Sequence, residues 1–274
     1  MIGMVTLAGL FVYPIKSCRG TPLARGTLTR SGMLHDREWM VVTPAGRFLT
    51  QRELPKLALV SPQLRDGALV LDAPGRATLA LPLDDRSGER RSVVVWRDHC
   101  QGIDAGDVAA DWFSGFLGRP VRLVRFDESQ RRGTDPEWSG GIAGETRFTD
   151  GFPLLVLSRA SFDDLNARLP HPLPLDRFRT SLLIDDCDAY AEDRMATLVS
   201  DGVRIRIVKP CARCVITTTD QSTAERDGEE PLRTLKTYRW DAALKGVMFA
   251  QNAVVEEGAG AELRVGMDLG VEWR

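Results

Sequence analysis

The chain has 274 residues, 43% of them hydrophobic, and a formal net charge of −2 with a pI near 6.0. A chain this long can bury a large core and exceeds the size at which one compact unit is the default, so two lobes are expected. Its slight acidity excludes capture of nucleic acid or an anionic membrane by basic excess, and no stretch reaches the ~18 apolar residues of a membrane helix.

Residues 1–13 are apolar but lack a basic n-region and an A-x-A site, and they stop at Pro14, so they read as a first strand and not a leader. Further strands are expected at 37–43, closed by the turn P-A-G-R at 44–47, and at 68–72, 77–81 and 92–96. At 107–117 the period changes. Val108, Trp112, Phe113, Phe116 and Leu117 fall on one helical face, with Asp107 as the cap and Gly118-Arg119-Pro120 as the stop. A strand follows at 121–126. Residues 127–146 lose all periodicity and gather charge and glycine, which marks the connection between lobes and divides the chain into 1–130 and 131–274.

Beyond it come a buried strand at 153–157 and a helix at 161–169 with Ser161 and Asp164 as a capping box. Strands at 181–185, 203–208 and 215–219, a short helix from Pro231, and strands at 247–255 and 269–273 complete a chain of α+β class that is mostly β.

Five cysteines (Cys18, Cys100, Cys187, Cys211, Cys214) are an odd number spread widely, which indicates a reducing compartment and a cytoplasmic protein. Two of them form K-P-C-A-R-C-V-I-T-T-T-D at 209–220. A structural zinc site needs four Cys/His ligands, and the nearest substitute pair is His99-Cys100. Dithiol redox chemistry places C-x-x-C at a helix N-terminus, whereas Cys214 is read as opening a Thr-rich strand. Two buried, inert thiols are the bland reading, but Lys209 and Arg213 flank the pair and favour thiolate over thiol. One ligating thiolate is the reading that remains.

These residues carry a resemblance. C-A-R-C-V-I-T-T-T-D, with Y-P-I-K-S-C-R-G at 13–20, H-D-R-E-W-M-V-V at 35–42, L-V-L-S-R-A-S-F-D-D-L-N-A-R-L at 155–169, Y-A-E-D at 190–193 and E-P-L-R-T-L-K-T-Y-R at 230–239, resembles the MOSC-domain proteins, and among them the amidoxime reducing components. The blocks run in order over nearly the whole chain. The resemblance implies an N-terminal MOSC-associated β-barrel-like domain followed by a MOSC domain with a β-barrel core and short helices. It also implies a molybdenum cofactor bound through one protein thiolate, which the motif places at Cys214, with Cys211 a bystander; a soft thiolate suits such a metal.

By the same matching, Lys16, Ser17, Arg37, Ser158, Arg159, Arg179, Ser181, Ala212, Arg213 and Asn252 are the implied cofactor contacts, the cations serving the pterin phosphate. The chain departs from the family at F-R-T-S (178–181), where F-R-P-N is common, and at Asn252, where an aromatic residue is expected. The implied activity is reduction of N-hydroxylated compounds (hydroxylamines, amidoximes, N-hydroxylated bases). The alternative is a cofactor carrier or sulfur-transfer protein without turnover. No side chain stands out as a proton donor, Asp220 being the nearest carboxylate in sequence. No nicotinamide fingerprint follows a strand, and no four-cysteine cluster motif follows Cys214. Electrons are therefore expected from a separate ferredoxin-type or cytochrome b5-type protein with its reductase, docked where Arg131 and Arg132 lie.

Overall fold

The computed structural model describes residues 3–274; Met1 and Ile2 of the expected first strand lie outside the described residues. Seven strands close into a barrel. In hydrogen-bonded order they are Leu154–Ser158, Leu182–Asp185, Gly3–Val12, Asp268–Trp273, Met195–Ser200, Val203–Ala212 and Gly246–Glu257, and the last pairs back onto the first. Only the Leu154–Ser158 and Leu182–Asp185 pair in this ring is parallel.

Inward alternation fills the barrel. Val203, Ile205 and Ile207 pack with Val5, Leu7, Leu10, Val12, Leu182, Ile184 and Val271, as period-two side chains on a curved sheet must. The first strand changes phase between Leu7 and Leu10. Its register against Leu182–Asp185 slips between Leu7 and Gly9, a bulge that returns Leu10 and Val12 to the core face. Although it comes first in the chain, this strand closes a barrel whose other six strands come from residues 154–273.

The other lobe holds a four-stranded antiparallel sheet, ordered Trp39–Val42, Arg122–Phe126, Asp98–Asp104 and Arg90–Val95, and a three-stranded sheet of Ser61–Arg65, Ala68–Asp72 and Leu79–Pro82. The Asp107–Leu117 helix buries Trp112, Phe113 and Leu117 against Ile15, Trp39, Val41 and Leu123. A third apolar cluster, outside the barrel, joins Leu165 of the Arg159–Arg168 helix to Leu235 of Leu232–Lys236 through Phe178 and Phe249.

Several local expectations are corrected. Val108 is 68% exposed and lies off the helix's buried face, which uses Ala109 and Ala110 instead. Gly106 is that helix's N-cap, and Asp107 inside it pairs with Arg122. The Arg159–Arg168 helix starts earlier than expected because Ser158 caps it, accepting from the Ser161 N–H at 3.0 Å. Asp164 is no part of that cap and pairs with Arg168 and the Tyr190 hydroxyl. The 127–146 connector holds the short Arg132–Gly133 and Glu145–Thr146 pairing and a turn of helix at Pro136–Ser139. Arg132 is buried, bonded to Asp98 and to the Arg147 and Thr149 carbonyls, so it presents no docking surface.

The largest correction concerns 215–219. The strand ends at Ala212, and Val215–Thr218 is a turn of 3-10 helix with Cys214 as its N-cap residue. Thr217 and Thr218 donate their hydroxyls back to the carbonyls of Cys214 (2.9 Å) and Val215 (2.8 Å). Such local bonds offer the backbone an alternative to a sheet ladder despite β-branching. The ground on which dithiol chemistry was set aside, a strand after Cys214, is therefore removed.

The segment that follows the first strand packs closely on the Tyr13 ring. A Cβ on Gly20 would overlap the Tyr13 ring, so Gly20→Ala should lower stability by about 1–3 kcal/mol, as overpacking typically does. Equilibrium urea unfolding measures this; an unchanged midpoint would show that the ring moves freely.

Candidate functional site

A cavity of about 810 Å³, counting its open mouth, lies where the two lobes meet. Lys16, Ser17, Arg37, Thr50 and Arg52 line it from one side, Thr149 to Leu155 from the segment that leads into the Leu154–Ser158 strand, and Phe178, Arg179, Ser181, Cys211 to Cys214, Ile216, Thr217 and Asn252 from the other. The cysteine pair arrives because the Val203–Ala212 strand breaks register against Gly246–Glu257 between Ile207 and Lys209 and again between Pro210 and Ala212. Such irregularities bend a strand and re-aim its side chains, and proline is tolerated at them.

Five cationic side chains face one carboxylate, Asp150. Arg37 and Arg179 lie over the same Tyr13 ring, their guanidinium carbons 4.3 and 4.4 Å from its centroid. The ring is fixed in turn: its hydroxyl donates to the Thr180 carbonyl at 3.1 Å, and its backbone N–H to Asp36, which also pairs with Arg37. Arg179 donates to the Cys18 carbonyl at 2.6 Å. Ser17, Arg37 and Arg179 all have left-handed backbone, with φ of 66°, 43° and 55°. Each such residue costs of order 1–3 kcal/mol and persists where surroundings enforce it, commonly at ligand sites.

The cations are also electrostatically strained. Burial pulls Lys16 down to about 8, against the Asp150 carboxylate that favours its charge. Its ammonium donates to Asp150 and to the Phe148 carbonyl at 2.7 Å. Burial and then Arg37 pull Arg179 down to about 10. Desolvation would raise Asp150, yet Lys16 and Arg52 more than offset it and hold its carboxyl well below the usual range. Two further donors are unsatisfied: Nη1 of Arg52 and Nε of Arg213 are buried without a partner. Arg19, Arg147 and Arg177 carry such orphans outside the cavity, so these two count here as free donors facing it and not as a mark of the site. Excess cations, unpartnered N–H groups and room for a ligand together fit an anionic group, and the donor set fits a pterin phosphate.

The thiols divide in the same way. Burial pushes Cys18 up to about 12 and Cys187 up to about 11, and raises Cys100 as well. None of these three lines the cavity. Cys214 Sγ accepts from Arg52 Nη2 at 3.2 Å, and Cys211 Sγ from Arg213 Nη1 at 3.2 Å. Cys211 packs against the Phe178 and Phe249 cluster. Among the described residues no group of three or more His, Cys, Asp or Glu could hold a metal ion.

Of the residues singled out in sequence, the structure brings Lys16, Ser17, Arg37, Arg179, Ser181, Ala212, Arg213, Cys214 and Asn252 to this cavity. Ser158 and Arg159 are elsewhere. Ser158 is fully buried as a helix cap beside Glu192, and Arg159 is exposed and pairs with Asp185. They follow a matched strand, but the chain enters a helix there and turns away. Lys209 also leaves the site, its ammonium 4.5 Å from the Trp138 ring. Asp220 caps its own turn through Ser222 and Thr223 and pairs with Arg177. Thr50, Arg52 and Asp150 were missed; Q-R-E and T-D-G are unremarkable in sequence, and only the fold turns them inward.

The model of the MOSC N-terminal beta barrel domain matches residues 4–120, and that of the MOSC domain matches residues 143–269. The chain is 37% identical over 248 residues to mitochondrial amidoxime-reducing component 1 of Homo sapiens and 36% identical over 242 residues to mitochondrial amidoxime reducing component 2 of Bos taurus. Each match covers 85% of this chain and 72% of the relative. Component 1 of Xenopus laevis is 31% identical over 264 residues, covering 90% of this chain and 77% of its own. No helix among the described residues is long and apolar enough to cross a membrane.

Because Lys16 is charged below about 8 and neutral above it, the cavity should hold anions more weakly as pH rises through that value. Calorimetry of cofactor-free protein with sulfate, whose charge is constant there, should show affinity falling about tenfold between about pH 7 and about pH 9.5, equivalent to ~1.4 kcal/mol. A flat profile would remove Lys16 from the anion site.

Proposed function

The chain belongs to the MOSC-domain family that includes the amidoxime reducing components, and from that premise we propose that it is a molybdenum-cofactor-dependent reductase of N-hydroxylated compounds, with the Cys214 thiolate as the protein's ligand to the metal. The single observation that carries this is the cavity itself, in which a guanidinium-bound thiol stands beside five cations that outnumber the one carboxylate lining it.

When bound, the cofactor supplies the two-electron chemistry that cleaves an N–O bond. The protein's part is to bind, orient and charge-balance. Cys214 gives a soft, anionic ligand. Lys16, Arg37, Arg179 and Arg213 are the donors for the phosphate, and the charge-assisted bonds they offer are stronger than neutral ones. Ser17, Ser181 and Ala212 lie along the cavity beside them, with Asn252 opposite on the Gly246–Glu257 strand.

Reduction of a hydroxylamine to an amine consumes two electrons and two protons and releases water. Asp150 cannot supply those protons near neutral pH, because Lys16 and Arg52 keep it ionised. Lys16, with its value near 8, can hold or pass a proton at Nζ in the working range. Electrons would come from a separate ferredoxin-type or cytochrome b5-type donor with its reductase, and such redox encounters bury little surface, typically under about 1,200 Å².

The assignment is tested with benzamidoxime and an artificial electron donor on molybdenum-loaded protein. Cys214→Ser should abolish reduction with the fold intact, while Cys211→Ser should keep most of the activity; equal losses would overturn the choice of ligand. Bound molybdenum without turnover in the wild type would favour a carrier. The isolated protein should be inactive with NADH or NADPH alone and gain activity on adding a donor protein and its reductase. Robust turnover with nicotinamide alone would contradict the separate-donor reading.

A further inference from the structure

Arg52 has an unusual set of neighbours. Its Nη2 reaches Cys214 Sγ at 3.2 Å and Asp150 Oδ2 at 3.5 Å, while Nη1 is buried without a partner. The guanidinium carbon lies 4.7 Å from the centroid of the Trp96 ring, whose indole N–H donates to Asp150 at 3.1 Å. Trp96 is 45% exposed, has a left-handed φ of 58°, and packs on Phe48. An exposed indole held in that conformation gains little from burial. Its contacts are instead spent on one arginine and that arginine's counter-ion.

The backbone of Arg52 is gripped as well. Its N–H meets the Thr50 hydroxyl at 3.2 Å, and Arg226 donates to the Gln51 and Arg52 carbonyls. Gln51 and Gln221 exchange side-chain hydrogen bonds at 2.9 and 3.1 Å. The segment that presents Arg52 is thus fastened to the very loop that follows Cys214. An ordinary surface arginine would need none of this, since exposed ion pairs contribute ~0–1 kcal/mol.

We infer that Arg52 is the positioning residue of the Cys214 thiolate: clamped by Trp96 and Asp150, its guanidinium fixes the direction of the sulfur and draws charge from it, so that these three residues tune the reduction potential of the metal that this sulfur holds. The inference rests on the proposal that Cys214 is the metal ligand. Hydrogen bonds to ligating sulfur are a recognised control on potential, because they lower the electron density donated to the metal and so favour its reduced state. The planar fork matters: a lysine supplies the charge but not a second donor at a fixed angle.

The test uses cofactor-loaded wild type, Arg52→Ala, Arg52→Lys, Trp96→Ala and, as a distant charge control, Arg131→Ala. Molybdenum content, thermal unfolding and the potential from an EPR-monitored redox titration are measured for each. Arg52→Ala should keep its unfolding temperature while its equilibrium shifts about tenfold toward the oxidised metal, or 59 mV for a one-electron step. Arg52→Lys and Trp96→Ala should shift the same way by less, and they keep the measurement possible if Arg52→Ala releases the cofactor. Arg131→Ala should not shift. Unshifted potentials in loaded Arg52 and Trp96 variants, or an equal shift in Arg131→Ala, would overturn the inference alone. Wild-type protein that takes up no molybdenum would overturn the proposed function beneath it.

Discussion

Five cations share one cavity with a single carboxylate, and most of the surrounding structure can be understood as what keeps them there. Like charges in a partly dry space repel, and burial compounds the cost, which is why Lys16 and Arg179 are both displaced downward. The fold answers with fixed supports. Tyr13 offers its ring to two guanidinium groups at once, a favourable cation–π arrangement worth ~0.5–2 kcal/mol per contact. Burial raises the Tyr13 hydroxyl to about 12, so the ring stays neutral and donates to the Thr180 carbonyl. Asp36, fully buried, orients Arg37 from behind. None of this is how a core gains stability. It is how a protein holds a ready binding place for charge.

The path of the chain makes that support possible. The first strand runs through the barrel and pairs on both sides with strands from the far end of the sequence. It then delivers Lys16 and Ser17 directly to the cavity, and Tyr13 against the guanidinium groups of Arg37 and Arg179, before the chain enters the other lobe. Phe11 donates its N–H to the Ser181 carbonyl, which links the first strand to the segment carrying Arg179. Residues separated by more than 160 positions are therefore neighbours by strand pairing, and their relative placement is as rigid as the barrel. A site built this way gains precision from the sheet and charge from the loops.

How much of this could be read in the sequence depends on whether the determinant was local. The mostly β character, the main strands and the 107–117 helix follow from period and turn chemistry, and they appear close to where the pattern places them. Differences arise where a competing contact outweighs the preference that the pattern suggests. V-I-T-T-T has every strand propensity, yet threonine hydroxyls closing on their own turn gave a 3-10 helix. Val108 fits a helical face on a wheel but falls on the solvent side because the sheet beneath meets Ala109, Trp112 and Phe113. Ser158 and Arg159 sat in a well-matched block, and the block's own helix removed them from the cavity. Arg52 and Asp150 had no pattern at all. Their role is topological, set by which loops the closed barrel and the four-stranded sheet bring face to face.

The cysteine spacing takes its meaning from that same geometry. On a regular strand, residues three apart point to opposite faces, so Cys211 and Cys214 would be divided between core and solvent. The register breaks at Pro210 and the turn that begins at Cys214 replace that alternation, and both thiols end at one cavity with different company. Cys211 leans on the aromatic cluster beneath the helices, while Cys214 meets a guanidinium from the other lobe. Both sulfurs meet a guanidinium, Cys211 that of its chain neighbour Arg213 and Cys214 that of Arg52 from the other lobe. The motif is thus better read as a device for turning one thiol out of a sheet and into contact with a cation that the sheet could not itself provide.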